Sequence, residues 1–254
     1  LEATDHPNKL NVKVEWFHLG ADYERTRSTV GLSADAEGVI SRLGNSPTFL
    51  MVGTIEPRKG HSDVLNAAEV LWKEGKECSL VIVGGRGWLV EELLQRLDKH
   101  SQLSKKLYVL NGISDEYLSK LYEHSDCLIA ASYGEGFGLP LIEAAQRGLS
   151  IVCRDIPVFR EVATDYAMYF GGEHTEPLAT TMRHWLSAYD AGSHLKSNEM
   201  PWLTWEESSN TVKGLLVKHE LPRQQLLVDI SELVKRDAKT GIQRVVRNIL
   251  SELY

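Results

Sequence analysis

Leu80-Val81-Ile82-Val83, followed at once by Gly84-Gly85, decides the fold. An unbroken apolar, mostly β-branched run leaves no polar face. A strand built from it must be covered on both sides, as in a parallel sheet. Working outward from 80–84, further short runs of strand character stand at 49–53, 107–110, 127–131, 150–153 and 168–170. Segments with helical periodicity separate them at 62–73, 89–100, 115–124, 139–147 and 158–163. This alternation predicts an α/β domain with a doubly wound parallel sheet flanked by helices. Ligands of such domains lie beyond the carboxyl ends of the strands, so the loops after the strands are where binding chemistry is expected.

The flanks differ from this centre. Residues 1–47 hold one strand-like run at 12–17 and then a polar stretch with Gly31, Gly38 and Gly44, too little for a domain. Residues 175–218 read as helical, with Leu178, Met182, Trp185, Leu186 and Tyr189 on one face, and with Pro201 either opening a second helix or breaking the first. Residues 226–230 read as a strand and 241–254 as an amphipathic helix, the opening of a further α/β unit or an extension packing on the main sheet. The composition narrows the class. A net charge of −7 excludes extended basic faces of the kind that coat nucleic acid. Three scattered cysteines, each in or beside an apolar run, form neither a disulfide framework nor a zinc spacing and read as buried thiols of a reducing compartment. No apolar run approaches the roughly 18 residues of a membrane span, and no secretory signal is visible. A soluble, cytoplasmic chain is expected.

Four post-strand loops carry candidate chemistry. In Glu135-Gly136-Phe137-Gly138-Leu139-Pro140-Leu141-Ile142-Glu143 the glycines let the backbone approach a ligand, and Pro140 marks the first turn of a helix whose amino end favours an anion. Carboxylates at both ends suit sugar hydroxyls and a ribose diol; a glycine-rich turn with surface glutamates is the plainer alternative. In Gly53-Thr54-Ile55-Glu56-Pro57-Arg58-Lys59-Gly60-His61, adjacent cations before a helix can clamp a diphosphate, Arg as a planar fork and Lys as a point charge. An ordinary solvated Arg-Lys turn would read the same way taken alone. No Asp-x-Asp occurs, which favours fixed cations over a metal for neutralising phosphate charge. Gly84-Gly85-Arg86-Gly87-Trp88 half-resembles a dinucleotide fingerprint, but it follows the second strand rather than the first; a tight turn with Trp88 in the core fits as well as ligand contact. Asn111-Gly112-Ile113-Ser114-Asp115-Glu116 is chiefly a helix start with Ser114 as N-cap, whose main chain can also meet a base edge. No His/Asp/Glu cluster supports a metal, and Ser132 lacks a nucleophile elbow. Of nine histidines only His18 and His61 adjoin these segments; the others read as surface or cap residues.

Together with Arg154-Asp155-Ile156-Pro157-Val158-Phe159-Arg160-Glu161, the segments 53–60 and 135–143 resemble the group 1 family of retaining GT-B glycosyltransferases, most closely its bacterial O-antigen mannosyltransferases. The resemblance covers roughly 12–218 and implies the C-terminal, Rossmann-like, donor-binding domain of a two-domain enzyme. It implies Arg58, Lys59 and Glu135 as catalytic residues, the cations neutralising the donor diphosphate and Glu135 holding the sugar. Gly53, Gly85, Gly112, Ile113, Gly136, Phe137, Gly138 and Leu139 would line the donor, with Glu143 on its ribose. GDP-mannose is the expected donor, with no cofactor or metal. Relatives often carry Arg where this chain has Thr54, so the clamp would rest on Arg58 and Lys59 alone. Residues 16–22 resemble the hinge after an N-terminal domain, making 1–47 a hinge and remnant and 48–218 the donor domain. Residues 219–254 resemble a linker and the first strand and helix of another transferase module, implying a tandem enzyme of lipopolysaccharide O-antigen synthesis. The glycan acceptor would bind the N-terminal domain, the parent enzyme would associate with the inner membrane face, and this chain alone would bind donor weakly and transfer nothing. A non-catalytic nucleotide-sugar-binding module and a sugar-nucleotide isomerase of related fold are the competing readings.

Overall fold

The computed structural model describes residues 15–21, 31–172 and 175–217. They fall into two compact units, one spanning Tyr23–Pro201 and the other drawn from Leu1–Asp22 and Trp202–Tyr254. The larger unit is built on six strands: β1 (Thr48–Val52), β2 (Ser79–Val83), β3 (Leu107–Leu110), β4 (Cys127–Ala130), β5 (Ser150–Arg154) and β6 (Met168–Phe170). All neighbours pair parallel, in the order β3-β2-β1-β4-β5-β6. The order reverses between β1 and β4, and the crevice outside their carboxyl ends is the switch point where doubly wound sheets hold ligands.

Helices α1 (Ala36–Leu43), α2 (His61–Lys73), α3 (Glu91–Asp98), α4 (Asp115–Glu123), α5 (Leu139–Ala145), α6 (Pro157–Ala163) and α7 (Thr175–Asp190) complete this unit. Alternate strand residues separate two layers. Phe49, Met51, Leu80 and Ile82 join the buried core that α2, α3 and α7 close, while α5 contacts β4 and β5. Trp185 of α7 is fully buried, its ring 4.9 Å from that of Phe49. β2 is buried at every position, as its unbroken apolar run requires. Cys78, Cys127 and Cys153 are free and buried.

Several expectations change. The polar stretch after Gly31 contains α1, an eight-residue helix with only Ala36 and Leu43 buried, too short a stripe to register as periodicity. The helix expected at 89–100 begins at Glu91 rather than 89, because Leu89 holds a φ of +52°, outside the helical range. Trp88 is 59% exposed, so the alternative of a core tryptophan falls. Pro201 neither opens nor breaks a helix: α7 stops at Asp190, and Gly192 follows in a left-handed turn. His194 is not a plain surface residue, since its ring packs on Trp185 and Tyr189.

In the smaller unit, α8 (Trp205–Val217) starts with a capping box. Thr204 Oγ1 accepts from the Glu207 N–H at 3.1 Å and Glu207 Oε2 accepts from the Thr204 N–H at 2.7 Å. Ala21 N donates to Leu203 O at 2.9 Å, and Ser208 Oγ donates to His18 O at 2.7 Å. The run at 12–17 lies half outside the described residues, and 226–230 and 241–254 lie wholly outside them. Among the described residues no helix is long and apolar enough to cross a membrane.

Candidate functional site

Two loops meet at the switch point. After β1 the chain turns through a single 3₁₀ turn at Pro57–Lys59 and enters α2 through Gly60, whose φ is +75°. A side chain at Gly60 would collide with the Ala131 carbonyl at the end of β4, so glycine is demanded by both conformation and space. After β4 the chain runs over residues 131–138 into α5 through Gly138, with φ +99° and the Phe159 ring 3.0 Å from where a Cβ would stand. The Tyr133 N–H donates to Arg58 O at 2.8 Å, tying one loop to the other.

This pinning brings Arg58, Lys59 and Glu135 into one cluster. Lys59 Nζ donates to Glu135 Oε1 at 2.5 Å, and Arg58 Nη1 donates to Glu135 Oε2 at 3.1 Å and to Gly134 O at 2.5 Å. Arg58 Nη2 pairs with Glu56 Oε1 at 2.6 Å. Ser132 Oγ donates to Glu135 Oε1 at 2.7 Å. Burial alone would raise the Glu135 pKa, but Lys59, Ser132 and Arg58 outweigh it and hold the carboxyl below its ordinary value. Burial pulls the Arg58 pKa down, and Glu135 and Glu56 more than reverse it. Beneath the turn, His61 is 1% exposed, and among the described residues neither ring nitrogen has a hydrogen-bond partner. Burial, then the nearby Lys59 charge, push its pKa down to about 4, against weaker support from the Glu56 and Gly53 backbones.

A second set of contacts braces the loops from behind. Arg154, 4% exposed at the end of β5, pairs with Asp63 at 2.7 Å and donates to Ala131 O at 3.0 Å and to Gly172 O. Its guanidinium lies 3.9 Å from the centre of the Tyr133 ring, and Tyr133 Oη donates to Asp63 Oδ2 at 2.7 Å. One buried cation thus joins β5, the first turn of α2 and the β4–α5 loop.

The other expected loop residues occupy the same edge of the sheet. Gly53 lies beside the Lys59 stem: a Cβ at this position would stand 3.6 Å from Lys59 Cε. Glu143 is buried within α5 and accepts from Tyr122 Oη at 2.7 Å. Gly136 is open, Phe137 and Leu139 are half-buried, and Gly138 caps α5. Gly85 follows β2, where a Cβ would meet only Asn111 Oδ1, at 3.8 Å. Its neighbours Gly84 and Gly87 have a local reason: a Cβ on Gly84 would strike the Gly53 carbonyl, and one on Gly87 would lie 2.5 Å from Ile55 O. Gly112 and Ile113 follow β3, and Ser114 Oγ accepts the Tyr117 N–H at 3.1 Å as the N-cap of α4. Sequence reasoning missed Glu56, Asp63, Tyr122, Tyr133 and Arg154 as partners, and it read Ser132 only as a nucleophile without an elbow. Arg154 left a signal, a cation closing an otherwise apolar strand; Glu56 and Ser132 pair within three residues of themselves, and Asp63, Tyr122 and Tyr133 pair across long separations.

A family model described as glycosyl transferases group 1 matches residues 37–199. Over 203 residues the chain is 48% identical to the serotype-specific mannosyltransferase WbdA of Escherichia coli, covering 80% of this chain and 25% of that protein. It is 33% identical over 143 residues to the O-antigen chain mannosyltransferase RfbU of Salmonella typhimurium, covering 56% of this chain and 39% of that one. Among solved structures, the C-terminal domain of a group 1 family glycosyl transferase from Francisella tularensis superposes with a TM-score of 0.55 at 19% identity, covering 69% of this chain and 92% of that one. Sucrose-phosphate synthase from Thermosynechococcus elongatus superposes with a TM-score of 0.63 at 19% identity, covering 79% and 51%. At such identities the structures speak for the fold alone. The chain spans about a quarter of the length of the WbdA relatives.

Proposed function

The chain belongs to the group 1 glycosyl transferases, and from that premise we propose that its larger unit binds the nucleotide-sugar donor, GDP-mannose, of a retaining mannosyltransferase in O-antigen synthesis. The observation that carries this reading is the meeting of Arg58, Lys59 and Glu135 at the crevice between β1 and β4. The names of the two mannosyltransferase relatives support the sugar and the O-antigen context.

The chemistry follows from the residue types. Breaking the bond between the sugar C1 and the β-phosphate oxygen leaves the electron pair on the diphosphate. Fixed cations at Arg58 and Lys59 stabilise that charge as it grows. Glu135 accepts hydrogen bonds from sugar hydroxyls, with amides of 136–139 on sugar and phosphate and Glu143 on the ribose. The acceptor oxygen bonds to C1 on the face the diphosphate leaves, its proton passing to the departing phosphate oxygen, so the anomeric configuration is retained. The acceptor binds outside residues 48–218. Thermal denaturation tests the donor: GDP-mannose and GDP raise the melting temperature of the chain and UDP-glucose does not. A shift with UDP-glucose and none with guanine nucleotides would overturn the mannosyl reading, and no shift with any of them would overturn donor binding.

A further inference from the structure

The cations proposed to grip a diphosphate are already taken. Arg58 and Lys59 are matched by Glu56 and Glu135, two positive charges against two negative. Both Glu135 oxygens are engaged, Oε1 by Lys59 and Ser132 and Oε2 by Arg58. Its side chain is 13% exposed, so these are poorly screened contacts. A diphosphate approaching this cluster meets no net positive charge, and it meets a carboxylate in the place its own oxygens need.

The two partners differ in freedom. The cation turn is fixed by Tyr133 N to Arg58 O, by Lys59 N to Glu56 O at 3.0 Å and by Gly60 against Ala131. The loop bearing Glu135 is pinned at Tyr133 by Asp63 and Arg154, and at Gly138 by Phe159. Between those pins stand Gly134, whose carbonyl accepts from the half-exposed Arg58 side chain, and Gly136, each with open space where a Cβ would be. The carboxylate is therefore the partner able to move.

We propose that Glu135 is an internal stand-in anion, held on Arg58 and Lys59 until a diphosphate displaces it, and that it thereby selects an intact nucleotide sugar over the free nucleoside diphosphate. This rests on the donor reading above. Once displaced, a carboxylate near the protein interior needs new hydrogen-bond donors. The hydroxyls of an attached sugar supply them; a nucleoside diphosphate does not. The spent nucleotide pays the cost of displacing Glu135 without that return, so product release is favoured.

Calorimetric titration of the 254-residue chain with inorganic pyrophosphate, GDP and GDP-mannose tests this. Glu135→Gln is expected to bind pyrophosphate and GDP about tenfold more tightly than the unaltered chain, roughly the weight of one charge-assisted contact. GDP-mannose gains nothing, so its advantage over GDP shrinks. Ser132→Ala, which leaves every charge in place and loosens only Oε1, moves pyrophosphate affinity the same way by a smaller factor. Unchanged or weaker pyrophosphate binding in both variants, or none in any form, overturns the proposal. If pyrophosphate tightens while GDP-mannose never binds, the stand-in anion holds and the donor reading fails; the reverse pattern fails the stand-in anion alone.

Discussion

Lys59 and Arg58 are neighbours in sequence but not equals in place. The Lys59 side chain is 18% exposed and the Arg58 side chain 45%, so water screens the guanidinium more. Lys59→Ala is accordingly expected to weaken GDP-mannose binding by about 2 kcal/mol, the usual weight of a buried hydrogen bond to a charged group. Arg58→Ala should cost about half as much, and competition titration ranks the two; equal losses would remove burial as the reason. His61 gives a separate test at the same scale. Its pKa falls from an ordinary 6.5 to about 4 in the folded chain, so between those values the unfolded state takes up the proton and the folded state does not. Stability is therefore complete above pH 6.5 and declines as pH falls toward 4, by at most about 3 kcal/mol. Glu135 and Glu69, whose folded pKa values are also lowered, add losses of the same sign. His61→Leu removes the titrating ring, and its urea midpoint should fall less between pH 7 and 4.5 than that of the unaltered chain. An identical fall in both would remove His61 from the account.

At the scale of elements, the inner strands β1, β2, β4 and β5 were legible because covered faces give them largely apolar runs, while the edge strands β3 and β6 are only partly buried; Ser79–Val83 departs from its expected span by one residue. Elements with little buried surface were not legible. α1 buries two residues and contains Gly38, and the start of α3 is displaced by the backbone of Leu89. The turn into α2 was read as cation chemistry, and its glycine proves equally specified. Gly60→Ala forces a left-handed alanine and a clash with the Ala131 carbonyl. The conformational part alone costs about 1–2 kcal/mol, and the clash adds to it. Urea denaturation should show at least that loss, with weaker donor binding because Lys59 shifts; wild-type stability would contradict the packing of this turn against β4.

For the larger unit as a whole, the strand order does what residue order cannot. Arg58 and Glu135 lie 77 positions apart and became candidates for different tasks, phosphate and sugar. Parallel pairing of β1 with β4 sets their following loops side by side, and the separate candidates become one ion-paired cluster. That each motif would follow a strand was readable from periodicity. That the cations and the carboxylate would hold one another was not, because pairing across a switch point leaves no local pattern. The same holds for Tyr122 on Glu143 and for Arg154 behind Tyr133. The proposed function has this crevice take a nucleotide-sugar diphosphate through Lys59. Isothermal titration of the 254-residue chain with GDP-mannose, repeated on Lys59→Ala, tests it most directly. Single-site binding that Lys59→Ala greatly weakens is the expected result. Absence of binding, or binding that Lys59→Ala leaves unchanged, would contradict it.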